Sequence, residues 1–215
     1  MNRSSSLLVV LLLILVAPLA RAQLVVEITQ GQADAIPIAI VPFAADAGAP
    51  TFDVAQVVAA DLGSSGRFAP MSRDDMIEKP THGADIVFND WRTLKADYIV
   101  VGRVQTLEPN RYQVAFELFN VLNRQRLLGF QITANQSGLR LASHQIADLI
   151  YEKIIGVKGA FATRIAYISV TGHVPNRQYR LIVADADGAD PRVVMQSGEP
   201  LMSPAWSPDG QNLAY

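Results

Sequence analysis

Hydrophobic positions change period several times along the chain, and each change marks an element. Leu7 to Ala17 is an unbroken apolar run that follows a basic Arg3. Leu24-Val25-Val26-Glu27-Ile28 has the β-branched richness of a strand. Ile36 to Phe43 is a second apolar run, with Pro37 and Pro42 near its ends, where a strand tolerates a missing donor. After a loop over Asp46 to Pro50, Val54, Val57, Val58 and Leu62 recur at helical spacing. Ser64-Ser65-Gly66 stops that helix, Gly66 being suited to a left-handed cap. A shorter helix is predicted over Ala84 to Leu94, where Phe88 and Trp91 share a face.

Three strand-like runs follow: Tyr98 to Leu107, Tyr112 to Val121 and Arg126 to Ala134. Their joints, Glu108-Pro109-Asn110-Arg111 and Asn123-Arg124-Gln125, read as hairpin turns, so the three should form an antiparallel meander. Ser137 is placed to cap a long helix through Ile155, with Leu139, Ala142, Ile146, Leu149, Ile150 and Ile154 as its apolar stripe and Gly156 as its stop. Strands and helices alternate first and then cluster. The expected fold over 23–157 is α+β (α/β-type): a mixed sheet partly covered by two main helices.

The texture changes across a linker at 158–163, and from Arg164 onward no helical period survives. Short strands are predicted at Ile165 to Val170, Tyr179 to Ala184 and Arg192 to Met195, with Asp185-Ala186-Asp187-Gly188 as a turn. Ser207-Pro208-Asp209-Gly210 is a second turn: Pro208 presets its backbone, Asp209 bonds locally and Gly210 takes a positive φ. Arg164-Ile165-Ala166-Tyr167 is echoed by Asn212-Leu213-Ala214-Tyr215 about 48 residues on, near the repeat of about 40–50 residues of a propeller blade. One blade cannot bury both faces of its sheet, so 164–215 is expected to be the first, incomplete part of a β-propeller.

The start of the chain has its own reading. A run from Leu7 to Ala17 makes about 16 Å of helix, short of a bilayer core of about 30 Å, and Ala20-Arg21-Ala22 has the A-x-A form of a signal-peptidase site. Residues 1–22 are therefore expected to be a signal peptide, cleaved between Ala22 and Gln23, leaving an exported product with no membrane insertion.

Half of all residues are hydrophobic, 18% are charged and the net charge is −2, a balance that excludes disorder. A sequence pI near 5.9 supplies no basic field for nucleic acid. The chain has no cysteine, which excludes disulfide scaffolds and thiolate chemistry. His82, His144 and His173 are too scattered for metal-ligand spacing, and His144, two positions from Ala142 and Ile146, reads as a solvated or helix-edge histidine. Asp74-Asp75 and Asp185-x-Asp187 read as solvated loop acids, and Asp185 opens no calcium loop because Ala189 and Gln196 stand where ligands are needed. Gly63-Ser64-Ser65-Gly66 is not a nucleophile elbow, and no phosphate-cradling glycine motif occurs. Asn135-Gln136-Ser137 is a formal glycosylation sequon, but Ser137 serves better as a cap. Trp206, Tyr167 and Tyr215 read as blade packing rather than a carbohydrate platform. These readings leave no catalytic, metal or cofactor residue.

Longer segments carry a resemblance. Val58-Ala59-Ala60-Asp61-Leu62 with Ser65-Gly66-Arg67-Phe68, Asp97-Tyr98-Ile99-Val100-Val101-Gly102, Gly156-Val157-Lys158-Gly159-Ala160-Phe161, Thr163-Arg164-Ile165-Ala166-Tyr167 and Leu201-Met202-Ser203-Pro204-Ala205-Trp206-Ser207-Pro208-Asp209-Gly210 occur in this order. Together they resemble the TolB family of the Tol-Pal system of Gram-negative bacteria. The resemblance implies an α/β domain followed by a six-bladed propeller in a non-enzymatic periplasmic scaffold. It implies two partners, TolA and the lipoprotein Pal, a role in outer-membrane integrity and its invagination at division, and exploitation by bacteriocins. In that family a segment of the form V-x-I-x-I-x-x-G contacts TolA. The matching residues are Gln23, Leu24, Val25, Val26, Glu27, Ile28, Thr29 and Gln30, with Gly31 after them and Leu24 and Val26 as conservative departures. Pal engages the propeller, so no Pal contact carries over. A competing reading is an exported serine peptidase of the prolyl-oligopeptidase type, which shares the W-S-P-D-G turn and would need a G-x-S-x-G serine beyond Tyr215.

Overall fold

The computed structural model describes residues 35–215. The signal segment, the Ala22–Gln23 junction and the strand over Gln23 to Gln30 lie outside the described residues. Ile36–Ile40 forms β1, its β-branched run buried toward its end. A two-residue β2, Ala44–Ala45, follows, then helix α1 at Val54–Ser64 and a short β3 at Phe68–Pro70. Asp53 opens α1 by accepting the Gln56 N–H at 2.9 Å, and Gly66 leaves it at φ 67°. The same Asp53 carboxylate holds the Arg73 guanidinium through both oxygens, at 2.6 and 2.9 Å.

The single helix expected over Ala84 to Leu94 is in fact a 3-10 turn, Gly83–Asp85, and a six-residue helix α2, Phe88–Thr93. Then come β4 (Tyr98–Glu108), β5 (Arg111–Asn120), β6 (Gln125–Ala134) and the long α3 (Leu139–Ile155). β4, β5 and β6 pair antiparallel, as the turn chemistry predicts. β1 lies parallel between β3 and β4, and β2 adds to β4, giving one mixed sheet in the order β3-β1-β4-β5-β6. The fold class is as the pattern predicts. β2 and β3 were not legible as strands because two or three residues show no period.

Alternation on the central strands divides the core into two. Ile38, Ile40, Val100, Phe116 and Leu118 face α1 and α3, meeting Val58, Leu62, Ile146 and Ile150. Ala39, Val41, Ile99, Val101 and Phe119 face the other way, onto Met76, Ile86 and Trp91. The second face is therefore covered too, by the segment around α2, where two main helices had been expected to do the covering. Burying each large side chain contributes about 1.5–3 kcal/mol, so two such clusters give the layer a full core.

The start of α3 corrects the expected cap. Asn135, not Ser137, accepts the Gly138 N–H, at 2.8 Å, while Ser137 lies inside a 3-10 turn and donates its hydroxyl to Asn135. An amide two residues earlier reaches the same orphan donor, so the hydroxyl is free to bind the amide. Gly156 ends α3 at φ 86°. Beyond it, β7 (Arg164–Thr171), β8 (Gln178–Asp185) and β9 (Arg192–Ser197) form an antiparallel sheet. Two short strands, β10 (Ala205–Trp206) and β11 (Leu213–Ala214), flank the Ser-Pro-Asp-Gly turn. There the Gly210 N–H donates to the Ser207 carbonyl at 2.9 Å, with Gly210 at φ 67°.

Candidate functional site

Helix α3 has two working faces. Leu139, Ala142, Ile146 and Ile150 are buried in the core, as their spacing predicts. Arg140, His144 and Asp148 recur every four residues on another stripe, and each reaches the C-terminal part of the chain or its linker. Arg140 pairs with Asp185 at 3.4 Å and hydrogen-bonds Asp187. His144 sets Nδ1 at 2.7 Å from an Asp61 carboxylate oxygen on α1 and turns Nε2 toward Asp185 (3.8 Å) and Asp187 (4.0 Å). The Asp148 carboxylate accepts the backbone N–H groups of Phe161 (2.8 Å) and Ala162 (3.1 Å). The stripe thus clasps the linker and the β8 turn to the α/β layer.

This corrects the reading of His144 as solvated. The residue is 1% exposed and Asp61 3%. The helical period reveals which positions are apolar, but the carboxylate that makes burial of an imidazole tolerable comes from a different helix. Asp185-Ala186-Asp187-Gly188 is the predicted turn, with the Gly188 N–H on the Asp185 carbonyl at 2.8 Å and Gly188 at φ 83°. Its acids, however, are drawn into the junction rather than left to solvent. Asp74 and Asp75 sit in a surface 3-10 turn capped by Ser72, as loop acids should. His82 binds Thr81 and Asp85 at the surface, and His173 is exposed.

The junction's charges tune one another. The hydrogen bond to Asp61 is the largest influence on His144 and raises its pKa, helped by the charges of Asp61 and Asp187, while burial and Arg140 pull the other way. Burial works against ionisation of Asp187, but the Ala189 N–H, Arg140 and His144 together hold its carboxyl below the usual range. Asp61, His144 and Asp187 offer ligand atoms within 4.8 Å of one another, a spacing that would suit a metal ion. The donor set argues otherwise: Asp61 already holds Nδ1, and Arg140 already supplies positive charge to Asp187. A cavity of ≈ 470 Å³ adjoins the network, lined by Arg140, His144, Arg164, Asp185, Asp190 and Arg192 among others.

Trp206 lies under the Arg164 guanidinium, 5.2 Å from the ring centre, which ties the last hairpin to β7. Tyr167 and Tyr215 remain partly exposed. The candidate partner-binding residues Gln23 to Gln30 are outside the described residues, so only the junction can be assigned a geometry.

An α/β layer that clasps the opening sheet of a propeller through a charged helix stripe defines a two-part envelope-type adaptor. Two family models match the chain in this order: the TolB amino-terminal domain over residues 24–127 and the TolB beta propeller domain over 151–215. The chain belongs to the TolB family. It is 50% identical over 194 residues to the Tol-Pal system protein TolB of Xylella fastidiosa (strain 9a5c), a match covering 89% of this chain and 44% of that relative. It is 48% identical over 210 residues to the protein of the same name from Xanthomonas oryzae pv. oryzae (strain MAFF 311018), covering 97% of this chain and 48% of the relative. The crystal structure of TolB from Acinetobacter baumannii superposes with a TM-score of 0.75 at 34% identity, covering 88% of this chain and 45% of that one. The chain spans just under half the length of these relatives. Their names place it with Tol-Pal components and give no support to the exported-peptidase reading.

Proposed function

We propose that the chain is the N-terminal part of a non-enzymatic periplasmic scaffold that links TolA to Pal, supporting outer-membrane integrity and its invagination at division. The observation that carries the reading is the order of the two TolB domain models on one chain, together with about half identity to Tol-Pal proteins across most of its length. A signal peptide over 1–22, cleaved between Ala22 and Gln23, delivers it to the periplasm, an α/β domain spans 23–157, and a linker at 158–163 leads into the propeller. No helix among the described residues is long and apolar enough to cross a membrane, which is compatible with release after cleavage.

TolA is assigned to Gln23–Gln30. A terminal segment of alternating apolar residues can pair with its own domain or donate its backbone to another sheet edge, with alternate side chains filling pockets. Pal, and the bacteriocins that exploit the system, are assigned to the propeller. The β7–β9 sheet exposes Val170, Val193, Val194 and Met195, which suits a blade that packs against further blades. The test is deletion of Gln23–Gln30 from the complete protein. TolA binding should be abolished while Pal binding and the circular dichroism of the fold persist; TolA binding that survives the deletion overturns the assignment.

A further inference from the structure

We propose that Asp61, His144, Asp185 and Asp187 form a pH-sensitive latch that holds the β7–β9 sheet against the α/β layer while His144 is protonated. This inference concerns the junction alone and stands whichever partners the two parts bind.

The geometry makes His144 a two-sided connector. Its Nδ1 is bonded to the Asp61 carboxylate of α1, and its buried Nε2 has no hydrogen-bond partner although two carboxylates of the β8 turn stand 3.8 and 4.0 Å away. An ionised Asp61 only accepts, so it keeps a proton on Nδ1. The proton that comes and goes is therefore the one on Nε2. With it, Nε2–H is a cationic donor aimed at two anions. Without it, Nε2 presents a bare lone pair to the same two carboxylates, and attraction becomes repulsion.

The surrounding charges need that proton. Facing His144 or lining the adjoining cavity are Asp61 from α1, Asp185 from β8, and Asp187 and Asp190 from the turn that follows. Opposite them stand Arg140 from α3, Arg164 from β7 and Arg192 from β9. Four carboxylates thus meet three guanidinium groups, and imidazolium supplies the missing positive charge. Arg140 cannot do so alone, since it is already shared between Asp185 and Asp187.

The direction of the switch follows from the tuning described above. His144 titrates higher in the folded protein than its ordinary value of about 6.5, so its contribution is complete below about 6.5 and is lost as pH rises through the raised folded value. Asp187 titrates lower than a free carboxyl, so its contribution is present above about 3.9 and is lost as pH falls through the lowered folded value. The latch is closed between these limits and opens first on the alkaline side.

The chain has no cysteine, so two can be introduced cleanly. Spin labels at Gln145→Cys on α3 and Val194→Cys on β9, both exposed, report the distance across the junction. Pulsed electron–electron resonance should give one narrow distance at about pH 5.5 and a broadened distribution by about pH 9.5, with a midpoint above about 6.5. Asp187→Asn, on a partly exposed turn, should move that midpoint down by roughly one unit, because it removes an anion facing the imidazole. His144→Gln should abolish the response. A distribution that stays unchanged across this range, or a midpoint indifferent to Asp187→Asn, overturns the proposal even if the His144 variant fails to fold.

Discussion

Asp61 on α1 and His144 on α3 stand 83 residues apart in the chain, yet a carboxylate oxygen of one lies 2.7 Å from Nδ1 of the other, both buried. The pair joins the two main helices at the point where the C-terminal sheet is attached. Removing one partner strands a charge or a donor in a buried site, whereas removing both strands neither. Asp61→Asn and His144→Gln should each lower stability by about 3 kcal/mol in urea unfolding. The double variant should lose less than the sum. Strict additivity would mean that the two side chains do not act as a pair.

The α3 stripe shows how far the sequence reached. The apolar positions Leu139, Ala142, Ile146 and Ile150 are legible because a 3.6-residue period survives in a single chain read alone. The polar positions Arg140, His144 and Asp148 carry the same i, i+4 relation, a signal that could have been read as a second face. What it could not reveal is the partner set, because Asp61, Asp185 and the Phe161 N–H arrive from three other places in the chain. The antiparallel meander was legible from its turns. The two-residue β2 and three-residue β3 were not, since pairing with β4 and β1 creates them and no local pattern announces them.

The linker should be held through Asp148. A Cβ added to Gly159 would lie 2.2 Å from an Asp148 carboxylate oxygen and 2.9 Å from its Cα, so the linker backbone passes too close to α3 for any other residue. Gly159→Ala should therefore lift 158–163 off the helix, at a cost of about 1–3 kcal/mol. Amide exchange at Phe161 and Ala162 should accelerate by tenfold or more. Asp148→Ala should accelerate the same two amides. If neither substitution changes their protection, the contact with Asp148 does not hold the linker.

Two strand glycines should respond in opposite ways to the same change. At Gly102 on β4 a Cβ would meet the Phe43 ring at 2.6 Å and the Ala115 carbonyl oxygen at 2.8 Å. Gly102→Ala should cost about 2 kcal/mol, because the ring that covers the strand must move. At Gly129 on β6 the nearest atoms belong to the flexible Arg126 guanidinium, at 3.6 Å. Gly129→Ala should leave the thermal midpoint unchanged or raise it slightly, since it removes chain entropy from the unfolded state. Equal destabilisation at both sites would show that the Phe43 contact is not what keeps Gly102 small.

The central claim is that the mature N-terminus is a partner-binding strand, and it can be tested without the rest of the fold. A synthetic peptide with the sequence of Gln23 to Gly31 should be titrated calorimetrically into the isolated periplasmic domain of TolA. The account predicts saturable one-to-one binding that is lost when Val26 and Ile28 are both replaced by Asp, because alternate side chains of an added strand fill the receptor's pockets. A peptide that does not bind, alongside a full-length protein that does, would contradict the account and move the TolA site elsewhere in the molecule.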